Sequence, residues 1–215
     1  KLGTLVYESI IERVIPVSSA RTAEAAKLLE NTFRLINIGL VDELAMMAHR
    51  MGINIWEVID AAKSKPFGFM PFYPGPGVGG HCIPIDPYYL SWKAMQYDFH
   101  ASFIELSAKI NENMPYHVVQ KVIEALSKSG ICPAKAKVLV LGVTFKRDIN
   151  DMRHSPALRV IEILEKSVGE IVYNDPYVDE VRLNKKIYRS IPLNRQNLKN
   201  ADCVLILTDH TDYDY

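Results

Sequence analysis

Cys82 stands behind glycines at 75, 77, 79 and 80 and four residues ahead of Asp86, in the run PGPGVGGHCIPIDPYYL from Pro74 to Leu90. A thiol on such a loop points to a reactive nucleophile placed where a ligand can approach backbone closely. The glycines remove Cβ atoms and permit positive φ, while prolines at 74, 76, 84 and 87 stiffen a segment that is otherwise costly to order. A lone cysteine is more often an inert buried residue; the surroundings of Cys82 reverse that reading. From Gly75 the run also fits G-x-G-x-x-G, but that fingerprint requires a strand before it and a helix directly after it. Pro71, Pro74 and Pro76 exclude an ordinary strand and Pro84 blocks the helix, so no dinucleotide loop is read here.

Two further sets could do chemistry. Lys27, Asn31 and Arg34 stand at i, i+4 and i+7, on one helix face away from Leu29, Phe33, Ile36 and Leu40. By spacing alone this is the pattern of an ordinary solvated face. Lys146, Arg147 and Arg153 lie in GVTFKRDINDMRHSP, directly after an apolar run. Three cations on a polar loop are commonly just solvated. Open α/β sheets, however, bind ligands beyond the carboxyl ends of their strands, so this loop is read as a phosphate site around a helix N-terminus.

The elements that must position these groups are legible. Residues 1–17 hold an apolar stretch with no partner of its own, taken as the tail of a preceding domain. Ser18 and Ser19 offer an N-cap, and apolar residues at 29, 33, 36, 40, 44, 47 and 51 define one stripe of a long helix ending near Gly52. Some 30 helical residues span roughly 45 Å, more than one small domain covers, which predicts an inter-domain backbone or a homodimer interface. Asn54 caps a helix through Ala62, Asp86-Pro87 opens one to about Tyr97, and another runs over 102–127, interrupted or kinked at Pro115 and ended by Gly130. From Lys137 the period changes. VLVLGVTF reads as a strand buried on both faces, Ser155-Pro156 starts a helix to about Ser167, and EIVYND and DCVLILTDH supply further buried parallel strands.

The fold class is therefore α/β: an all-helical central dimerisation domain over residues 18–132, then a Rossmann-like parallel α/β domain over 133–215. The chain has 215 residues, 48% hydrophobic and 23% charged, enough for one large or two modest cores. Its formal net charge of zero gives no reason to invoke nucleic acid or an anionic membrane. No membrane-length apolar run or signal-peptide pattern is present, so a cytoplasmic protein is expected. Cysteines at 82, 132 and 203 form neither a disulfide framework nor a zinc cluster; Cys132 and Cys203 are read as structural, and no metal is expected.

GVGGHCIPIDPYYL resembles the catalytic cysteine loop of the UDP-glucose/GDP-mannose dehydrogenase family, and the longer KPFGFMPFYPGPGVGGHCIPIDPYYLSWKA is most similar to its UDP-N-acetylhexosamine branch. The similarity runs from about Val14 to the end and is weakest over residues 178–199. The resemblance implies NAD-dependent, four-electron oxidation of a sugar C6 alcohol to the acid through a Cys82 thiohemiacetal and thioester, serving surface-polysaccharide precursors. It implies Cys82, Lys27, Asn31 and Asp86 as catalytic groups, with Lys27 and Asn31, matched in AAKLLENTFR, serving the developing oxyanion. Lys27 and Asp86 would hold a water as base. Substrate contacts are implied at Lys65, Tyr73, Pro74, Gly75, Pro76, Gly77, Val78, Gly79, Phe145 and Lys146, with Arg34 a candidate of open role. Ile83, Ile85 and Arg153 would approach NAD, whose own domain is expected to be absent from these residues.

Ile85 replaces a lysine common in UDP-glucose dehydrogenases, which favours the N-acetylhexosamine branch; His81 replaces a residue that is small in part of the family, and its role is open. UDP-N-acetylglucosamine is the expected substrate, with UDP-glucose or UDP-N-acetylmannosamine as alternatives. A non-catalytic UDP-sugar-binding dimerisation module is the alternative for this chain alone. A cysteine acyltransferase or hydrolase is disfavoured, because His81 is adjacent in sequence and points the wrong way to serve as base.

Overall fold

The computed structural model describes residues 2–215. Helix α1 (Leu2–Glu8) buries none of its side chains. Extended backbone at Ser19 then turns into α2 (Ala20–Met51), with the Ser19 hydroxyl accepting the Thr22 N–H at 3.1 Å. That bond satisfies one of the donors a helix start leaves free. Gly52 ends α2 at φ 70°, a left-handed turn that a side chain would resist. Asn54 caps α3 (Ile55–Ala62) through the Trp56 N–H. After the cysteine loop come α4 (Asp86–Met95) and α5 (Ser102–Lys128).

The long helix has two unlike faces. Inward it buries Asn31, Thr32, Leu35, Gly39, Val41, Asp42 and Ala48. Outward it carries most of the predicted apolar stripe, with Leu29 68% and Met51 61% exposed and Phe33, Leu40 and Met47 also open. Helices α2 and α5 cross closely at Gly39, where an added Cβ would lie 3.2 Å from Asn111 Nδ2 and from Ser107. Beside that crossing, Leu35, Ile104 and Ala108 form a core against which Val78, Ile83 and Leu90 pack.

Beyond α5 the chain forms β1 (Lys137–Leu141), α6 (Pro156–Leu164), β2 (Glu170–Asn174), β3 (Glu180–Leu183), β4 (Lys186–Arg189), α7 (Arg195–Lys199) and β5 (Cys203–Ile206). Strands β2, β1 and β5 lie in that order in a parallel sheet, with Val140 opposite Tyr173 on one side and Leu205 on the other. Strands β3 and β4 make a separate antiparallel hairpin. Val119, Val122 and Leu126 of α5 pack with Val138, Val140, Val160 and Ile161, so the second half of α5 belongs to the sheet's core.

Several expectations are corrected. Helix α5 runs unbroken through Pro115. The proline removes the N–H that the Asn111 carbonyl would have accepted, and the chain at Gly77 comes so near that a Cβ there would lie 2.9 Å from that carbonyl. The apolar run VLVLGVTF is not one strand, because Gly142 turns at φ 79° after Leu141. Helix α6 stops at Leu164 rather than near Ser167. Strand β5 is half-exposed, with Val204 and Ile206 open among the described residues. Asp86 is the first residue of α4, not its cap. Cys132 is exposed, whereas Cys203 is half-buried and burial pushes its thiol pKa up.

Candidate functional site

The cysteine loop is tied to the molecule at both ends. At its start the Gly75 N–H donates to Asp42 Oδ1 at 2.9 Å. Further on, Gly77 and Gly80 take φ of 123° and 88°, and the Gly80 N–H donates to the Arg153 carbonyl at 3.1 Å. An added Cβ at Gly79 would lie 2.6 Å from Phe145 Cβ and 2.8 Å from Pro156 Cδ, so Phe145 and α6 close directly on the loop. Val78 and Ile83 anchor it in the helical core. The Cys82 carbonyl then accepts the N–H groups of Ile85 at 3.1 Å and Asp86 at 2.8 Å, forming the turn that starts α4. Cys82 itself is exposed on that turn.

One helical turn beyond Cys82, Asp86 Oδ2 accepts from Asn31 Nδ2 at 2.6 Å. The fold thus joins two predicted catalytic groups that are 55 residues apart. Lys27 and Arg34 remain on the solvent side of α2, both paired with Glu30, at 3.1 and 2.6 Å. Lys27 and its hydrogen bond hold the Glu30 carboxyl below its usual range. Asn31 is the member of that set on the buried side of the helix, and it is the one that meets Asp86 directly.

The loop after β1 supplies the opposite wall. Arg153 is paired with Asp151 at 2.7 Å; Asp151 raises the guanidinium pKa, and nearby Cys82 adds a smaller push in the same direction. Arg147 is paired with Asp209, and the N-terminus of α6 is capped by Ser155. Two of the three cations read as a phosphate site therefore already hold carboxylates. Lys146 is exposed.

Between the helical part and β5 lies a cavity of about 980 Å³, lined by Tyr73, Pro74, Gly75 and Pro76 of the loop, His49, Trp56, His117 and Lys121 of the helices, and Arg147 and Asp209 from the sheet side. Trp56 stacks on Tyr73 at 5.5 Å and 15°, and the Tyr73 hydroxyl donates to Asp60 at 2.8 Å. Burial lowers the His117 pKa, with Lys121 and His49 adding repulsion. Of the expected group Tyr73 to Gly79, Tyr73 to Pro76 line this cavity and Gly77, Val78 and Gly79 do not, while Phe145 abuts the loop's glycines and Lys65 stands exposed over the Phe67 ring. Among the described residues no cluster of three or more potential metal ligands occurs, and no helix is long and apolar enough to cross a membrane.

Sequence reasoning missed Asp42. It lies at i+7 from Leu35 and i+3 from Gly39, the buried face of α2, and that periodicity was the available signal. Asp42 is fully buried, and one of its oxygens has no partner. Burial pushes its pKa up to about 7, only partly opposed by the Gly75 N–H.

A thiol turn at the end of a glycine loop, closed by a parallel α/β unit and backed by an Asn–Asp pair, defines a two-part protein with an exposed cysteine on its glycine loop. The chain matches the UDP-glucose/GDP-mannose dehydrogenase family, central domain, over residues 21–113 and the same family's UDP binding domain over residues 139–215; it belongs to that family. It is 39% identical to a UDP-N-acetyl-D-mannosamine dehydrogenase of Pyrococcus horikoshii, over 99% of this chain and 48% of that protein. To a UDP-N-acetyl-D-glucosamine 6-dehydrogenase of Salmonella typhi it is 36% identical, over 97% of this chain and 48% of that protein. A solved structure of the Pyrococcus horikoshii UDP-D-ManNAc dehydrogenase superposes with a TM-score of 0.87 at 38% identity, covering 98% of this chain and 47% of that one. The chain spans about half the length of the curated relatives it matches.

Proposed function

We propose that this chain is the helical and UDP-sugar-binding portion of an NAD-dependent 6-dehydrogenase acting on a UDP-N-acetylhexosamine, UDP-N-acetylglucosamine first among them, with residues 18–132 and 133–215 as its two units. The observation that carries this is the exposed Cys82 thiol on the turn that also presents Asp86, held by Asn31, at the end of the loop that lines the cavity. The nucleotide would occupy that cavity and the sugar C6 would reach Cys82. The alcohol becomes an aldehyde by loss of a hydride and a proton, the latter to a water near Asp86. The Cys82 thiolate adds to the aldehyde carbon, and Asn31 and Lys27 are the donors for the resulting oxyanion. Loss of a second hydride leaves a thioester, which water cleaves to the acid with return of the thiolate. Between steps, the covalent bond keeps a reactive aldehyde from escaping.

NAD+ would supply the hydride acceptors, two molecules in succession, one for each hydride. The residues here fit contact with it rather than its retention. Arg153 is an exposed cation beside Cys82, but the turn after β1 carries no G-x-G-x-x-G, and its one glycine, Gly142, packs against Thr208. Calorimetric titration of the chain should therefore show UDP-N-acetylglucosamine and UDP-glucose binding in the millimolar range or tighter and NAD+ not binding. Tight NAD+ binding, or silence toward every UDP-sugar, refutes the assignment of the second unit.

The same reading includes a homodimer. The outward stripe from Leu29 to Met51 is what a two-fold pairing of equal helices would cover. Sedimentation at tens of micromolar should show a dimer, on the scale of ordinary interface affinities; a monomer there counts against it. The reading takes the enzyme as cytoplasmic and, on its zero formal net charge, gives it no nucleic-acid or anionic-membrane partner.

A further inference from the structure

Residues 208–211, Thr-Asp-His-Thr, leave the end of β5 and each bonds to the loop that follows β1. The Thr208 hydroxyl donates to the Thr144 carbonyl at 2.6 Å. Asp209 pairs with Arg147 on the cavity wall. Thr211 donates its N–H and hydroxyl to the Asp148 carboxylate at 2.8 and 2.5 Å. Between them stands His210, only 1% exposed. Its Nδ1 accepts the Asp148 N–H at 2.9 Å, so that nitrogen carries no proton. The proton belongs on Nε2, which faces Asp175 Oδ2 at 3.1 Å and Thr144 Oγ1 at 3.3 Å. Asp175 is itself held by the N–H groups of Val143 and Tyr177, and the Thr144 hydroxyl donates to the Lys146 carbonyl at 2.8 Å.

This arrangement holds a conformation the loop would not keep alone. Asp148 has φ of 60°, a left-handed turn at a residue with a Cβ, a conformation held here by the bonds its neighbours make. The turn brings Arg147 to the cavity and leaves Phe145 against Gly79 and Gly80, two residues from Cys82. We infer that His210 is a positioning residue: a neutral imidazole, protonated on Nε2, that fixes the Asp148 turn and through it Arg147 on the wall of the UDP-sugar cavity and Phe145 at the seat of the cysteine loop. The inference rests on the cavity being the UDP-sugar site.

The two ring nitrogens can be tested separately. In His210→Asn the side-chain oxygen falls near Nδ1 and can still accept the Asp148 N–H. In His210→Gln the amide reaches toward Nε2 and can still donate to Asp175, but the acceptor at Nδ1 is lost. The expected result, by calorimetry with UDP-N-acetylglucosamine, is affinity within about threefold of the parent for Asn and about tenfold weaker for Gln, the scale of one buried hydrogen bond. Hydrogen exchange of the ligand-free chain should show the Asp148 amide protected in the parent and the Asn variant and fast in the Gln variant, even if both variants lose similar thermal stability. Equal affinities and equal Asp148 exchange in the two variants overturn the role of Nδ1. A parent chain that binds no UDP-sugar instead overturns the reading of the cavity, whatever the exchange data show.

Discussion

Replacing Cys82 with serine in the full-length protein is expected to lower formation of the acid from the C6 alcohol by at least about three orders of magnitude, on the scale of losing a covalent nucleophile. Serine keeps the shape of the side chain and the turn, since the Cys82 carbonyl and not its sulfur holds the Ile85 and Asp86 N–H groups. What it lacks is the thiolate and the reactivity of a thioester. UDP-sugar affinity should therefore stay within a few-fold of the parent while NADH release per enzyme falls away. Turnover close to the parent's would remove Cys82 from the chemistry and leave the chain a binding module.

Asp42→Asn is expected to stabilise the protein above neutral pH, by an amount that vanishes in acid. In the unfolded chain this carboxyl ionises near 3.8, and in the fold near 7, because burial disfavours the charge. Between those values the folded state keeps a proton that the unfolded state has released. Stability therefore falls as pH rises through that window and stays at the lower level above it. Three units of difference set a ceiling of about 4 kcal/mol. The asparagine would keep an acceptor for the Gly75 N–H but bury an NH2 group where Asp42 Oδ2 has no partner, so the gain at pH 8 should be roughly 1–3 kcal/mol. Urea unfolding at pH 4, 6 and 8 checks this by the difference between variant and parent, which cancels the titration of other groups. A difference that does not change with pH would falsify the picture of a carboxyl forced to be neutral.

The helical half was legible because its boundaries are chemical. Ser19, Gly52 and Asn54 act locally, and each caps where its residue type says it should. Elements set by distant contacts were not. The run after Leu139 looks like a continuing strand, yet Gly142 bends it against Thr208, a residue 66 positions away in a segment with no visible reason to be near. The hairpin of β3 and β4, in a stretch without clear period, also escaped. Of the candidate site, Cys82 could be read from residue type and loop composition, whereas the grouping of Tyr73 to Gly79 came only from the family resemblance, and of it Tyr73 to Pro76 line the cavity. The Asn31–Asp86 pair could be named but not joined, since joining it requires the packing of α2 on α4. The polar contacts of Asp42 and His210 depend wholly on tertiary structure.

The contact of Gly79 with Phe145 ties the histories of the two halves together. A side chain at 79 is excluded by Phe145 and Pro156, residues of the other unit, not by anything the reacting thiol needs. The atoms in the way are Phe145 Cβ, Pro156 Cδ and the His154 carbonyl, which a shorter side chain at 145 leaves in place, so alanine at 79 should be costly beside any side chain at 145. Drift at 79 is thus forbidden by the other half, and a chimera joining the helical part of one relative to the sheet part of another would keep the loop seated only if the helical part brought glycine at 79.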